Sequence, residues 1–323
     1  MAAQPILLFG AKPDEMPDEY RSDLEKIAKG FRVIVTEDRT EIESMIGDVE
    51  IAARHVPAEL FGQAGNLKWM QWWYAGVDFL RQYPELREKD FILTNGSGVH
   101  AESIGEQILG YMIMFARQIH TAVRDQASRT WRRFPMTDFF EIEGKTALVL
   151  GAGAIGRRFA KIAGVFRMNV IGVRRSGGAH PPGFSEMHGL DKLPALLPRA
   201  DFVVISLPDT DETRGLIGRD ELIAMKSSAF LINIGRGSIV DERALNAALE
   251  TGEIAGAALD VFETEPLPSS SPLWDRKNAI ITPHTAGFTP IYWKRVWPIF
   301  RTNLVNYLSG KPLMNVVDKK LGY

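Results

Sequence analysis

The sequence predicts an α/β chain built as two doubly wound parallel sheets, and three observations carry that expectation. Short apolar runs separated by polar, helix-like stretches recur in two series, one before residue 95 and one after residue 145. The 323 residues, 45% of them apolar, suffice for two cores. One apolar run, Leu148-Val149-Leu150, ends in Gly151-Ala152-Gly153-Ala154-Ile155-Gly156 and leads into a helix-like stretch, Arg157 to Val165. That is the order of a strand–turn–helix unit.

In the first series Pro5 to Phe9, Phe31 to Val35, Val49 to Ala53, Lys68 to Gln71 and Phe91 to Leu93 read as strands, with a helix at Asp18 to Lys29. Ala101 to Asp125 reads as one long helix, because Ile104, Ile108, Met112, Phe115 and Ile119 recur at spacings of three or four. Gly96 and Gly98, just before it, mark the crossing into the second lobe. The second series has six strands: Ala147 to Leu150, Val170 to Val173, Phe202 to Ser206, Phe230 to Ile234, Ala257 to Leu259 and Ala279 to Ile281. Thr289 to Ser309 is a final helix returning to the first lobe, and Pro298 inside it predicts a kink or break. The expected domains are residues 1–99 with 289–323, and residues 100–288.

Composition excludes several classes. A net charge of −2 implies neither nucleic acid nor an anionic membrane as partner. With no cysteine there is no disulfide, thiolate metal site or cysteine nucleophile, and no other metal site is expected. Met1 to Gly10 lacks a basic leader and reads as a strand, and no apolar stretch reaches membrane-span length. A soluble cytoplasmic protein is expected.

The glycine turn suits a dinucleotide. Gly151 permits a tight turn off the strand, Gly153 removes a side chain where backbone must approach a pyrophosphate, and Gly156 lets the helix pack on the strand. The helix N-terminus, at Ala154 and Ile155, offers unpaired N–H groups to the anion. About 20 residues on, an acid selecting NAD would accept from the ribose 2′-OH. Arg174, Arg175 and Ser176 stand there instead, and suit the 2′-phosphate of NADP. The expected cofactor is NADP, with NAD weaker.

Three strand ends of the second series carry a coherent set: Arg236 after one, Asp260 and Glu265 after the next, His284 after the last. In open α/β sheets these loops face the ligand crevice. Arg holds a carboxylate by two hydrogen bonds. A carboxylate beside an imidazole favours its charged form and fixes its tautomer. The imidazolium then gives a proton to a carbonyl as hydride arrives. The other histidines read as structural.

These blocks resemble the D-isomer-specific 2-hydroxyacid dehydrogenase family. The matching stretches are LVLGAGAIGRRFA, the run from SLPDTDETRG to DERALNAAL, GAALDVFETEPLP and TPHTAG, with thinner likeness in WWYAGVD and ESIGEQILG. The resemblance implies a Rossmann cofactor domain, a smaller flavodoxin-like substrate domain, and hydride transfer between NAD(P)H and a 2-keto acid. It gives Arg236 the substrate carboxylate, Glu265 the orientation of the histidine, and His284 the acid/base role. It puts Asp260 near the nicotinamide, Ile234 among the cofactor-binding residues, and Leu207, Pro208 and Thr213 along the adenosine. The backbone of Ala75, Gly76 and Val77 takes the carboxylate from the first lobe. It also implies a homodimer through the cofactor domain, which the long helix after Ala101 fits. Glu265, not glutamine, argues against the formate dehydrogenase branch, and with the sequence ending at Tyr323 the extra regulatory domain of some phosphoglycerate dehydrogenases is not expected.

Arg54, at a first-lobe strand end, is a further substrate candidate and would favour a polar or acidic group. Trp72, Trp73, Tyr74, Tyr292, Trp293 and Trp297 either line an aromatic pocket or fill the core. The competing function is a non-catalytic NAD(P) sensor on the same fold, which would not need the complete Arg–Glu–His set.

Overall fold

The computed structural model describes residues 4–175 and 180–323. The chain separates into two compact units, Met1–Val99 with Pro290–Tyr323, and His100–Thr289.

The first unit contains β1 (Ile6–Gly10), α1 (Asp18–Ile27), β2 (Arg32–Val35), α2 (Arg39–Met45), β3 (Val49–Arg54), β4 (Trp69–Gln71), α3 (Phe79–Gln82) and β5 (Ile92–Thr94). Its sheet runs β2-β1-β3-β4-β5, every pair parallel. That is the flavodoxin-like winding. Side chains alternate across the sheet. Leu8 joins Ile42, Phe61 and Leu93 in one core, while Leu7 and Phe9 join Leu24, Trp69 and the C-terminal helix (Tyr292–Leu308) in the other.

That helix continues through Pro298 instead of ending there. Burial of Val296, Trp297, Phe300 and Leu304 on both sides of the proline holds it. Most of the aromatics in question fill this core. Trp73 and Trp297 are buried, Phe9 meets Trp73 edge-on at 5.3 Å, and Tyr20 stacks on Trp293 at 5.4 Å. Trp72 packs against the opposite core, and Tyr74 is 43% exposed.

The second unit contains α4 (Ala101–Ala116), α5 (Ile119–Ala127), β6 (Thr146–Leu150), α6 (Ala154–Val165), β7 (Asn169–Val173), β8 (Glu186–His188), α7 (Leu193–Leu196), β9 (Phe202–Ile205), α8 (Arg219–Ala224), β10 (Phe230–Asn233), α9 (Glu242–Thr251), β11 (Gly256–Leu259) and β12 (Ala279–Ile281). Its parallel sheet runs β12-β11-β10-β9-β6-β7-β8, a Rossmann order with an added edge strand. The winding reverses at β6, so the glycine turn after β6 lies at the switch point where such sheets bind ligands.

In the second unit two elements differ from the sequence reading. The long helix is two, because Gln118 adopts a left-handed φ of 55°. Phe115, the last buried apolar of the stripe, stacks on Phe230 at 4.4 Å, whereas Ile119 continues the periodicity but is 39% exposed. Burial therefore ends a turn before the pattern does. The strand β8 escapes notice because it is short and polar; its Met187 reaches inward against the space left by Gly172.

Candidate active site

The glycine turn has the shape a dinucleotide needs. Gly151 has φ +109°, and a Cβ there would lie 2.7 Å from the Ser206 carbonyl oxygen. A Cβ on Gly156 would come within 2.1 Å of the Gly151 oxygen, so only glycine lets α6 sit this close to its strand. Gly153 differs: a Cβ would meet nothing within 4 Å, which leaves the approach to the helix N-terminus open. The first-turn N–H groups of Ala154, Ile155 and Gly156 have no partner within the helix. The residues present therefore fit a pyrophosphate.

Arg174 and Arg175 leave β7 beside β8, and the Arg174 N–H donates to the His188 carbonyl at 3.0 Å. Ser176 lies outside the described residues. Nearby Glu186 is already satisfied: Arg199, then His188, hold its carboxyl down at about 2. Leu207 and Ile234 are buried, and Pro208 starts a loop closed by Thr213. The buried Thr213 hydroxyl donates to the Pro208 carbonyl at 2.6 Å and accepts from the Thr210 N–H at 2.9 Å. Thr213 thus shapes the loop from within.

Arg236 follows β10 by way of Asn233, whose buried amide accepts from the Gly235 N–H and donates to the Arg236 carbonyl, both at 3.0 Å. One guanidinium nitrogen donates to the Gly235 carbonyl at 2.7 Å. Gly237 brings this loop against the next, since a Cβ there would lie 1.8 Å from the Phe262 carbonyl carbon. Glu242 and Glu263 tie the same loops, each carboxylate accepting the other's backbone N–H, at 2.6 and 3.1 Å. Burial pushes the Glu242 carboxyl up.

Glu265 accepts from the Phe262 N–H at 2.9 Å through one oxygen and contacts His284 Nδ1 at 2.6 Å through the other. The imidazole is thereby fixed in orientation, with Nε2 as its second nitrogen. His284 adopts φ 54°, a left-handed conformation in which histidine is enriched among residues with side chains. Beneath it Asp260, 2% exposed, accepts from the Thr285 and Ala286 N–H groups at 3.0 Å each. A cavity of about 600 Å³ flanks the pair, walled by Phe262, Leu267, Trp274 and Ile281. The second unit therefore brings Glu265 and His284 into contact, and packs the Arg236 loop on the Glu265 loop.

In the first unit, the carbonyls of Ala75 and Gly76 are pinned by Asn95 Nδ2 at 2.7 Å and Trp72 Nε1 at 2.8 Å, and Val77 is buried. Arg54 is drawn inward. Its guanidinium lies 3.4 Å from both Glu15 and Glu37, donates to the Gly10 carbonyl at 3.1 Å and sits over Trp293. The polar groups at that strand end are instead His55 and Tyr74, stacked and joined by a 2.7 Å hydrogen bond.

Residues 109–286 match the model of the D-isomer specific 2-hydroxyacid dehydrogenase NAD-binding domain. The chain belongs to the D-isomer-specific 2-hydroxyacid dehydrogenase family. As a member it is an NAD(P)-dependent oxidoreductase acting on 2-hydroxy acids and 2-keto acids. It is 38% identical over 240 residues to glyoxylate/hydroxypyruvate reductase B of Pectobacterium carotovorum, covering 73% of this chain and 74% of that one. A family structure from Xanthobacter autotrophicus, in complex with NADPH and MES, shares 31% identity with TM-score 0.83 over 99% of this chain and 100% of that one. An NADPH-dependent glyoxylate/hydroxypyruvate reductase from Sinorhizobium meliloti, with NADP and sulfate, shares 28% at TM-score 0.83 with the same coverage.

Proposed function

We propose that this family member is an NADPH-preferring reductase of small, polar 2-keto acids such as glyoxylate or hydroxypyruvate. The observation that carries the catalytic reading is the His284–Glu265 contact at 2.6 Å beside the loop of Arg236. When bound, the nicotinamide supplies the hydride. Arg236 binds the substrate carboxylate and polarises the keto oxygen. His284 gives a proton from Nε2 to that oxygen, while Glu265 holds Nδ1 and fixes the orientation of the ring. The pinned backbone of Ala75, Gly76 and Val77 is the first unit's carboxylate-binding element. A small substrate is supported by the reductase relative and by the aromatic residues being packed in the core. A nucleotide sensor would not need the Arg–Glu–His set, which is complete.

Cofactor choice is assigned to Arg174 and Arg175, which follow the strand after the glycine turn. The NADPH-bound family structures support it. Charge-assisted hydrogen bonds of about 1.5–3 kcal/mol each give at least about a tenfold preference for NADPH in kcat/KM. Arg174→Asp narrows or reverses that ratio. The measurement is nicotinamide absorbance with glyoxylate, hydroxypyruvate, a branched 2-keto acid and phenylpyruvate. Preference for NADH in the wild type, or an unchanged ratio in Arg174→Ala/Arg175→Ala, defeats the cofactor assignment. Phenylpyruvate as the best substrate defeats the substrate class.

We further place the enzyme in the cytoplasm, where reduced nicotinamide is supplied, as a homodimer through its cofactor-binding unit. Trp131 and Met136, each 91% exposed on the segment after α5, are the apolar surface such a contact would cover. Trp131→Glu is expected to convert the dimer to a 36.0 kDa monomer by light scattering. A monomeric wild type at micromolar concentration refutes this.

A further inference from the structure

Between α4 and the ends of β11 and β12 lies a chain of polar groups that the proposed chemistry does not use. Tyr111 is 3% exposed, and burial raises its pKa, so it stays a hydroxyl. Its oxygen lies 2.5 Å from Thr282 Oγ1, and Gln107 Nε2 donates to it at 2.5 Å while also reaching Thr282 Oγ1 at 3.2 Å and Asp260 Oδ1 at 3.5 Å. Thr282 Oγ1 donates in turn to Asp260 Oδ1 at 2.5 Å. A threonine hydroxyl has one proton. With that proton on Asp260, Tyr111 must donate to Thr282, and the Gln107 amide to Tyr111. Every proton in the chain therefore points toward the Asp260 carboxylate.

Asp260 carries that order to the catalytic loop by holding the Thr285 and Ala286 N–H groups at 3.0 Å. Thr282 touches the loop a second time, its carbonyl accepting the His284 N–H at 3.0 Å. The left-handed turn at His284 is thus clamped on both sides by groups that the chain aligns. We infer that Gln107 and Tyr111 are positioning residues of this reaction: a one-way hydrogen-bond network, running from Gln107 and Tyr111 through Thr282 to Asp260, sets the carboxylate that holds the His284 loop. The inference rests on His284 being the proton donor.

Misplacing a reacting group by a fraction of an ångström, with binding intact, lowers kcat and leaves KM alone. Tyr111→Phe removes one oxygen and keeps the ring, and is expected to lower kcat about 10-fold, with unchanged KM for NADPH and keto acid. Thr282→Val breaks the chain nearer Asp260 and is expected to cost at least as much. Tyr111→Phe/Thr282→Val should be no worse than Thr282→Val alone, because the Tyr111 hydroxyl donates into the network through Thr282. Wild-type kcat in Tyr111→Phe, a change confined to KM, or losses that multiply in the double variant would overturn the inference. His284→Gln in parallel separates the two failures. An inactive His284→Gln beside a fully active Tyr111→Phe sinks the chain alone, and an active His284→Gln sinks the acid assignment on which it rests.

Discussion

His284→Gln is expected to lose about 10²–10⁴-fold of kcat for keto-acid reduction, the usual contribution of a positioned general acid. Glutamine has no proton of suitable acidity to give the keto oxygen. Glu265, still bound to the Phe262 N–H, would face a neutral amide. NADPH affinity should survive, because the glycine turn and Arg174 lie at other strand ends of the same sheet. Position 284 has a left-handed backbone, so His284→Asn is a useful second variant: asparagine tolerates that conformation and also lacks an acid. Both variants should bind NADPH by fluorescence titration and turn over poorly. Keto-acid reduction near the wild-type rate in either would remove His284 from the mechanism.

Much of this site is legible in the sequence because of where α/β sheets put their ligands. Buried parallel strands read as continuous apolar runs, so the ends of β6, β10, β11 and β12 are visible, and with them Gly151, Arg236, Glu265 and His284. Less visible is what lies beneath those loops. Asp260 reads as a residue near the nicotinamide; that its carboxylate engages Thr282, Thr285 and Ala286 does not show in the sequence. Arg54 reads as a candidate to reach the substrate; its pairing with Glu15 and Glu37 does not show in the sequence. Both are contacts between distant parts of the chain, and no local pattern encodes them. The Gln107–Tyr111 pair did leave a trace: polar side chains at i and i+4, directly beside the apolar stripe of Ile104, Ile108 and Met112. Such a pair on a core helix marks a buried hydrogen-bond partner, though not which one.

Arg236 should fail differently from His284. Truncating one partner of a desolvated, hydrogen-bonded charge pair costs about 2–5 kcal/mol. At about 1.36 kcal/mol per tenfold, Arg236→Ala is expected to lower kcat/KM by about 30-fold to several thousandfold. The loss should appear in both constants: KM rises because the carboxylate loses its ligand, and kcat falls because the keto oxygen loses its polarising charge. Arg236→Lys keeps the charge but not the planar fork. One guanidinium nitrogen anchors the side chain to the Gly235 carbonyl, and a single ammonium cannot both make that contact and pair with a carboxylate in the bidentate manner. Lysine should therefore recover part of the KM and little of the kcat. The loop itself should persist in both variants, since Asn233 and the close approach of Gly237 to Phe262 hold it through backbone atoms. Steady-state kinetics with glyoxylate and hydroxypyruvate decide the matter. Wild-type constants in Arg236→Lys would mean that charge alone suffices, and wild-type constants in Arg236→Ala would mean that another group binds the carboxylate.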